Sequence, residues 1–531
     1  MNSHAAQSTS TLDVTELTIP TFHTALRKGQ TNVTSVINTY LTRIAQHEQT
    51  LKSLITINPD ALEEALQKDI ETKQFLNDPF TTEDEHEDEH AFPPLHGVAV
   101  LLKDNYTTHN LPTSAGCKAL ATLTSQNDSE VVEFLHKAGA IILAKTNLHE
   151  FALHGTTTSS LGGQTLNPYD LTRTPGGSSG GTGAALALNL GMVGCGTDTV
   201  NSLRSPASSC SIVGFRPSIG VVPTAGIVPV SETQDVAGPM ARCVSDVRIL
   251  FDVMRGNYQR TPPKTARFEG KSQLRIGVLE EYFCLEGCSN SSSSSNVINP
   301  EILAENTIIQ DIIRKALSSV SSTSTPVNIS LIPIPKHPST WTVSTLLEKA
   351  DTQVFEFQEC LNTFLASDSI SSPHQTQKSI ANSREYHQKA ITSVFALPLS
   401  DSRTYSRDSV EYKSRLSYIS NLKLSVREIF HQYEVDFLVY PHQRHFPVSI
   451  GETIQPNRNG ILAALTGRPA ICIPAGFGPP SLSAPVGIPI GLELMGQEGG
   501  DDELLDLAEI IEGVLKARRV PFSHLDEAIL F

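Results

Sequence analysis

Between about Thr34 and His47 the positions Val36, Ile37, Tyr40, Leu41 and Ile44 recur at helical spacing, which predicts an amphipathic helix with one face on the body of the protein. The apolar run Val98 to Leu102 predicts a strand covered on both faces, ending on the polar trio Lys103-Asp104-Asn105. Open α/β sheets carry functional groups at such C-terminal strand ends. Asp128 to Ala138 reads as a helix stopped by Gly139, and Ala140 to Ala144 as the strand after it. This alternation argues for an α/β rather than an α+β fold. A helix is expected near Ile302 to Leu317, between the tracts Ser289–Asn296 and Ser318–Thr325, whose polar monotony predicts no apolar burial. Patterning returns with a helix near Tyr412 to Tyr433 and strands at Phe437–Tyr440 and Ala470–Pro474. No internal repeat is visible.

Composition narrows the partners. With 40 Lys and Arg against 56 Asp and Glu, the 531-residue chain has a net charge of −16, no footprint for nucleic acid or an anionic membrane. A small-molecule enzyme fits better. The start of the chain lacks a basic segment followed by an apolar one, and no run of about 18 apolar residues occurs, so a cytoplasmic location is expected and residues 1–12 are expected to be disordered. The eight cysteines lack the spacing of a zinc site and read as mostly buried small apolar residues. The acidic run Glu83 to His90 reads as a solvated loop, not a metal site. The sequons at Asn32 and Asn105 are chance matches in an intracellular chain. No metal or cofactor is implied.

The densest chemical signal is Gly176-Gly177-Ser178-Ser179-Gly180-Gly181-Thr182-Gly183, followed by a largely apolar run to Leu190. Glycines let a backbone approach a ligand closely, and the helix that follows aims free N–H groups at it, an arrangement suited to an anion or a developing oxyanion. A phosphate loop would end on Gly-Lys-Ser/Thr, and this one ends on Gly181-Thr182-Gly183. An α/β-hydrolase elbow is the second alternative, because Gly176 to Gly180 satisfies G-x-S-x-G and His337, His374, His442 and His445 lie downstream. A glycine-rich turn that merely packs a helix on a sheet is the third.

The chain continues Gly194-Cys195-Gly196-Thr197-Asp198-Thr199-Val200-Asn201-Ser202-Leu203-Arg204-Ser205-Pro206, and together the two segments resemble the amidase-signature family. Ser202 lies 24 positions after Ser178, and Lys103 lies 75 before it, as the resemblance requires. Leu95 to Asn105, Ala144 to Phe151, Asn167 to Asp170, Gly214 to Ser218, Asp235 to Met240 and Pro489 to Gly496 extend the likeness. Residues 30–255 and 430–520 match best, and 255–430 reads as a variable, insertion-rich region of a single domain spanning 1–531.

The resemblance implies an α/β amidase-signature fold, a large twisted mixed sheet with helices on both faces. It implies hydrolysis of a carboxamide through an acyl-enzyme, with Ser202 as nucleophile, Ser178 as proton relay and Lys103, neutral in the free enzyme, as base. It also implies a cis peptide bond before Ser178 and an oxyanion hole made by the backbone of Thr199, Val200, Asn201 and Ser202. Asp198 and Arg204 read as a charge-assisted network supporting the nucleophile loop, and Lys145 as positional. One departure stands out: where the family pattern has two glycines before the nucleophile, this chain has Val200-Asn201. Loss of one oxyanion donor there would cost about 10²–10³ in rate.

A small-molecule amide is the expected substrate, for a monomer or homodimer without nucleic-acid or membrane partners. The stretches Tyr440–His445 and Arg458–Gly467 read either as a substrate-side region or as a loop and a packed helix. Two other readings are a glutaminase like the A component of a tRNA-dependent amidotransferase, which would need partner chains, and a catalytically impaired binding homologue.

Overall fold

A computed structural model describes residues 12–77, 92–258, 268, 271, 273–286, 299–335, 338, 341–391 and 393–521. Its frame is an 11-stranded mixed sheet. The strands are β1 (Leu54–Ile57), β2 (Ala99–Lys103), β3 (Ile141–Thr146), β4 (Val193–Asp198), β5 (Val213–Arg216), β6 (Val236–Ala241), β7 (Gln273–Leu279), β8 (Asn328–Ile334), β9 (Phe437–Pro441), β10 (Ala470–Phe477) and β11 (Pro489–Met495). They lie in the order β1-β3-β2-β4-β6-β5-β10-β11-β9-β7-β8.

Parallel neighbours form the two flanks, β3-β2-β4 and β9-β7-β8. The middle, from β4 through β6, β5, β10 and β11 to β9, is antiparallel. The helix–strand alternation read around Gly139 therefore fits the flank β3-β2-β4, and it is silent on the centre and on β7 and β8. Every residue of β2 to β6 is buried. Because successive strand side chains point to opposite faces, helices must cover the sheet on both.

The amphipathic helix runs Val33–Leu51, longer than expected at both ends. Asn32 caps it, its side chain accepting from Ser35 N at 2.7 Å. The expected helix and strand around Gly139 are Glu130–Lys137 and β3. Near Tyr412 the helix spans Val410–Gln432.

One expectation fails. The helix near Ile302 spans Pro300–Ser322 and so continues into the tract Ser318–Thr325, where Val320 is 1% exposed. Val320 shares a face with Ile313, Ala316 and Leu317, and that stripe carries the helix through residues whose composition alone argues against it.

Cys117, Cys195, Cys210 and Cys472 are buried, whereas Cys243 and Cys360 are partly exposed and Cys284 is exposed. No described helix is long and apolar enough to cross a membrane. Among the described residues no group of His, Cys, Asp and Glu is placed to hold a metal. Residues 1–11, the acidic run Glu83–His90, the tract Ser289–Asn296, Cys288 and His337 lie outside the described residues.

Candidate active site

Strands β2 and β4 are parallel neighbours, with Leu102 opposite Cys195, so their C-terminal ends meet at one edge of the sheet. β2 delivers Lys103 there. β4 delivers Thr197 and Asp198 and leads into the loop Thr199–Ser202 and the helix Arg204–Ser209. The crossover from β3 to β4 brings the glycine-serine loop to the same edge, where the helix Gly180–Ala187 begins. At Gly181 a Cβ would lie 2.1 Å from the Asn147 carbonyl oxygen and 2.6 Å from that of Ser53, so only glycine lets this helix seat against the strand end. The Gly177–Ser178 peptide bond is cis, as the resemblance implies.

Lys103 is completely buried. Its Nζ lies 2.8 Å from Ser178 Oγ and 2.8 Å from Thr197 Oγ1, and Asn105 Nδ2 donates to the same threonine at 3.1 Å. Burial pushes the lysine pKa down to about 7 against the opposing pull of the Asp198 and Asp235 carboxylates. Near neutral pH a substantial fraction therefore carries a free lone pair. Charged, the lysine donates to Ser178; neutral, it can accept the Ser178 proton over the same distance.

Ser202 is 7% exposed, whereas Lys103 and Ser178 are at 0%, so of the three only Ser202 is reachable from outside. Ser179 ties the two loops together, its N–H donating to the Ser202 carbonyl at 3.2 Å and its hydroxyl to the Thr197 carbonyl at 3.2 Å. No hydrogen bond joins the Ser202 and Ser178 hydroxyls here, and such contacts commonly tighten only with substrate bound. The N–H groups of Thr199, Val200, Asn201 and Ser202 donate to no described acceptor. Their carbonyls, by contrast, are held from behind: Gln234 Nε2 donates to Thr199 O at 3.2 Å and Arg204 Nη2 to Val200 O at 2.7 Å. The side chains Val200-Asn201 thus coexist with a loop whose donors are free.

A buried ion network anchors that loop. Asp198 accepts from Arg204 Nε and Nη2, each at 3.1 Å, from Arg216 Nη1 at 3.0 Å and from Leu203 N at 3.1 Å. Burial opposes its charge, but Arg204 and Arg216 hold the carboxyl down to about 2. Arg204 also donates to Glu493 on β11, whose carboxylate accepts from Tyr440 at 3.0 Å and contacts His442 Nδ1 at 2.5 Å. The pairing of Asp198 with Arg204 is as expected. Arg216 and Glu493 lie in segments of family likeness but carry no sequence signal that they meet here, and neither does Thr197. Lys145, also completely buried, faces Tyr106 O, Pro112 O, Thr113 and Asp104 and touches neither serine.

Ser202 opens on a cavity of about 480 Å³ lined by Thr199, Val200 and Asn201 and also by Val343, Leu347 and Ile461. Arg444, Asn457, Arg458 and Ile461 also line it, so the stretches Tyr440–His445 and Arg458–Gly467, which hold the end of β9, loop and the helix Ile461–Thr466, both reach the cavity. A second cavity of about 430 Å³ reaches Asn105, Thr197 and Thr199. No described histidine ring hydrogen-bonds Ser178 or Ser202. His442 is committed to Glu493 and His445 faces Glu305, so neither of these two serves as the histidine of an α/β-hydrolase triad.

The amidase family model matches residues 35–291 of this chain. The A component of the glutamyl-tRNA(Gln) amidotransferase of Saccharolobus solfataricus is 31% identical over 439 residues, 79% of this chain and 84% of that protein. The like-named protein of Methanospirillum hungatei is 30% identical over 79% of this chain and 93% of that protein. The solved structure of the peptide amidase of Stenotrophomonas maltophilia is similar with a TM-score of 0.76 and 26% identity, covering 96% of this chain and 99% of that one.

Proposed function

The chain belongs to the amidase family and is an amide-cleaving enzyme, and from that premise we propose that it works by a Ser202-Ser178-Lys103 relay through an acyl-enzyme. The observation that carries this reading is the contact of Lys103 Nζ with Ser178 Oγ at 2.8 Å, made by a buried lysine whose pKa lies at about 7. A serine hydroxyl needs a neighbouring base at neutral pH. As Ser202 Oγ attacks the scissile carbonyl, its proton passes to Ser178 Oγ and that of Ser178 to Lys103 Nζ. The developing oxyanion meets the free N–H groups between Thr199 and Ser202. The relay then runs backwards to protonate the leaving nitrogen, ammonia or an amine departs, and water attacks the Ser202 ester by the same route to release the acid.

Strands from residue 54 to residue 495 share one sheet, and buried residues from Val14 to Ile511 share one apolar cluster, which supports treating 1–531 as a single amidase domain. The substrate is a small amide, with no metal or cofactor. A second reading, a glutaminase working with partner chains, draws on the names of the curated relatives. Release of ammonia from free glutamine by the purified chain alone, faster than from other amides, would favour it.

Fluorophosphonate labelling with peptide mapping tests the relay. The label is expected on Ser202 and is lost in Ser202→Ala. A label on Ser178, or one indifferent to Lys103→Ala, would overturn it.

A further inference from the structure

The Val200-Asn201 departure has a partner elsewhere in the fold. Gly460 precedes the helix Ile461–Thr466 with φ −69° and ψ −11°, a conformation open to any residue. Its backbone therefore does not require glycine. Its surroundings do: a Cβ at 460 would lie 2.7 Å from the Asn201 Cβ and 3.0 Å from Arg204 Nη1. The space that a side chain would fill at 460 is taken up by Asn201. Beside it Val200 packs against the apolar cluster that includes Val343, Leu346 and Ile461. The two side chains in the nucleophile loop are thus built into the cavity wall.

Unlike Val200, Asn201 leaves its chemistry unused. Its carboxamide, a donor and an acceptor in one group, makes no hydrogen bond with any described residue and stands half-buried in the wall of the cavity onto which Ser202 opens. Asn201 immediately precedes Ser202 and lines the same cavity, the space that an acyl group carried on Ser202 enters. Val343, Leu347 and Ile461 give that space an apolar side, and Glu286, Gln353, Arg444 and Asn457 also line it.

We infer that Asn201 is a specificity-determining residue that hydrogen-bonds a polar substituent beside the scissile carbonyl, with Gly460 providing the room it needs. The enzyme then prefers amides of acids substituted next to the carbonyl by a nitrogen or oxygen group, as in an N-acylated amino-acid amide, over plain alkanamides of equal size. This rests on the acyl-enzyme reading above.

The test compares kcat/KM for an N-acetylated amino-acid amide and a matched alkanamide in the wild type, Asn201→Ala, Gly460→Ala and the double variant Asn201→Gly/Gly460→Ala. The wild type favours the polar amide, and that ratio falls by about tenfold in Asn201→Ala, the size of one lost hydrogen bond. Gly460→Ala lowers activity on both amides, and Asn201→Gly in the same chain recovers part of the loss. A wild type without preference, or an Asn201→Ala variant with the ratio unchanged, overturns the inference. Fluorophosphonate labelling of Ser202 in the same preparations separates the two levels. A labelled enzyme with an unchanged ratio overturns only the role of Asn201, and an unlabelled wild type overturns the relay and this inference with it.

Discussion

Two lysines end neighbouring strands of the same sheet, both completely buried, and their surroundings give them opposite characters. Lys103 and Thr146 are paired across β2 and β3, as are Leu102 and Lys145, so the two lysines project from opposite faces. Lys145 meets the Asp104 carboxylate at 3.2 Å, two carbonyls and the Thr113 hydroxyl. Lys103 meets two hydroxyls and no carboxylate within ion-pair distance among the described residues. Burial lowers both pKa values, but at Lys145 a contacting carboxylate works against it, whereas at Lys103 the opposing carboxylates stand further off. Burial is thus common to both, and whether the counter-charge is in contact is what separates the proposed base, Lys103, from the proposed brace, Lys145.

The largest expected effect comes from removing the proposed base. Lys103→Ala lowers kcat/KM for any amide the enzyme cleaves by about 10²–10⁴, the usual worth of a positioned general base, while the protein stays folded. Steady-state kinetics beside a thermal melt checks both halves, and a variant with near-normal turnover would erase the contrast between the lysines.

Lys145→Met inverts the pattern. Removing one partner leaves Asp104 buried and unpaired, which costs about 3–5 kcal/mol of stability in denaturant titration. The fraction that remains folded is expected to keep turnover within about tenfold. Adding Asp104→Asn to Lys145→Met should recover part of the stability, because the two residues are directly coupled. A Lys145→Met protein that is stable and inactive would move the catalytic role toward it.

Smaller effects sharpen the comparison. Thr197→Val removes one of the two hydroxyls on Lys103 and is expected to lower kcat by about tenfold, one hydrogen bond's worth, with little change in KM. The stability linkage of Lys103 also has a definite sign. Its folded pKa of about 7 lies below the unfolded value of about 10.4, so between these limits the unfolded chain holds more protons and stability rises with pH. Relative to Lys103→Met, the wild type should gain up to about 1.4 kcal/mol per pH unit in that window and nothing below it. Denaturant titrations at pH 6, 8 and 9.5 check the slope.

How much of this was legible in the sequence follows from the physics of each element. β2 was readable because it is an unbroken apolar run ending on a lysine. In the antiparallel centre β9 and β10 were readable too, but β5 and β6 were not: they carry glycine and proline within short, fully buried segments, Val-Gly-Phe-Arg and Val-Ala-Gly-Pro-Met-Ala, which lack strand periodicity. The two serines and Lys103 came from spaced motifs, and their convergence follows from the parallel register of β2 and β4. The Arg204–Glu493 contact spans 289 residues and joins distant parts of the chain, so no local pattern announces it. Likewise the tie between Asn201 and Gly460 is visible only once the cavity wall is assembled. The serine tract after Leu317 misled in the opposite direction, because a single buried Val320 outweighed the composition around it.

The most direct test of the account is the pH dependence of Ser202 acylation by a fluorophosphonate in the wild type, Lys103→Ala and Lys145→Met. The account predicts a rate that rises through an apparent pKa of about 7 in the wild type and in folded Lys145→Met, and a slow rate without that inflection in Lys103→Ala. The same inflection persisting in Lys103→Ala, or vanishing in folded Lys145→Met, would contradict it.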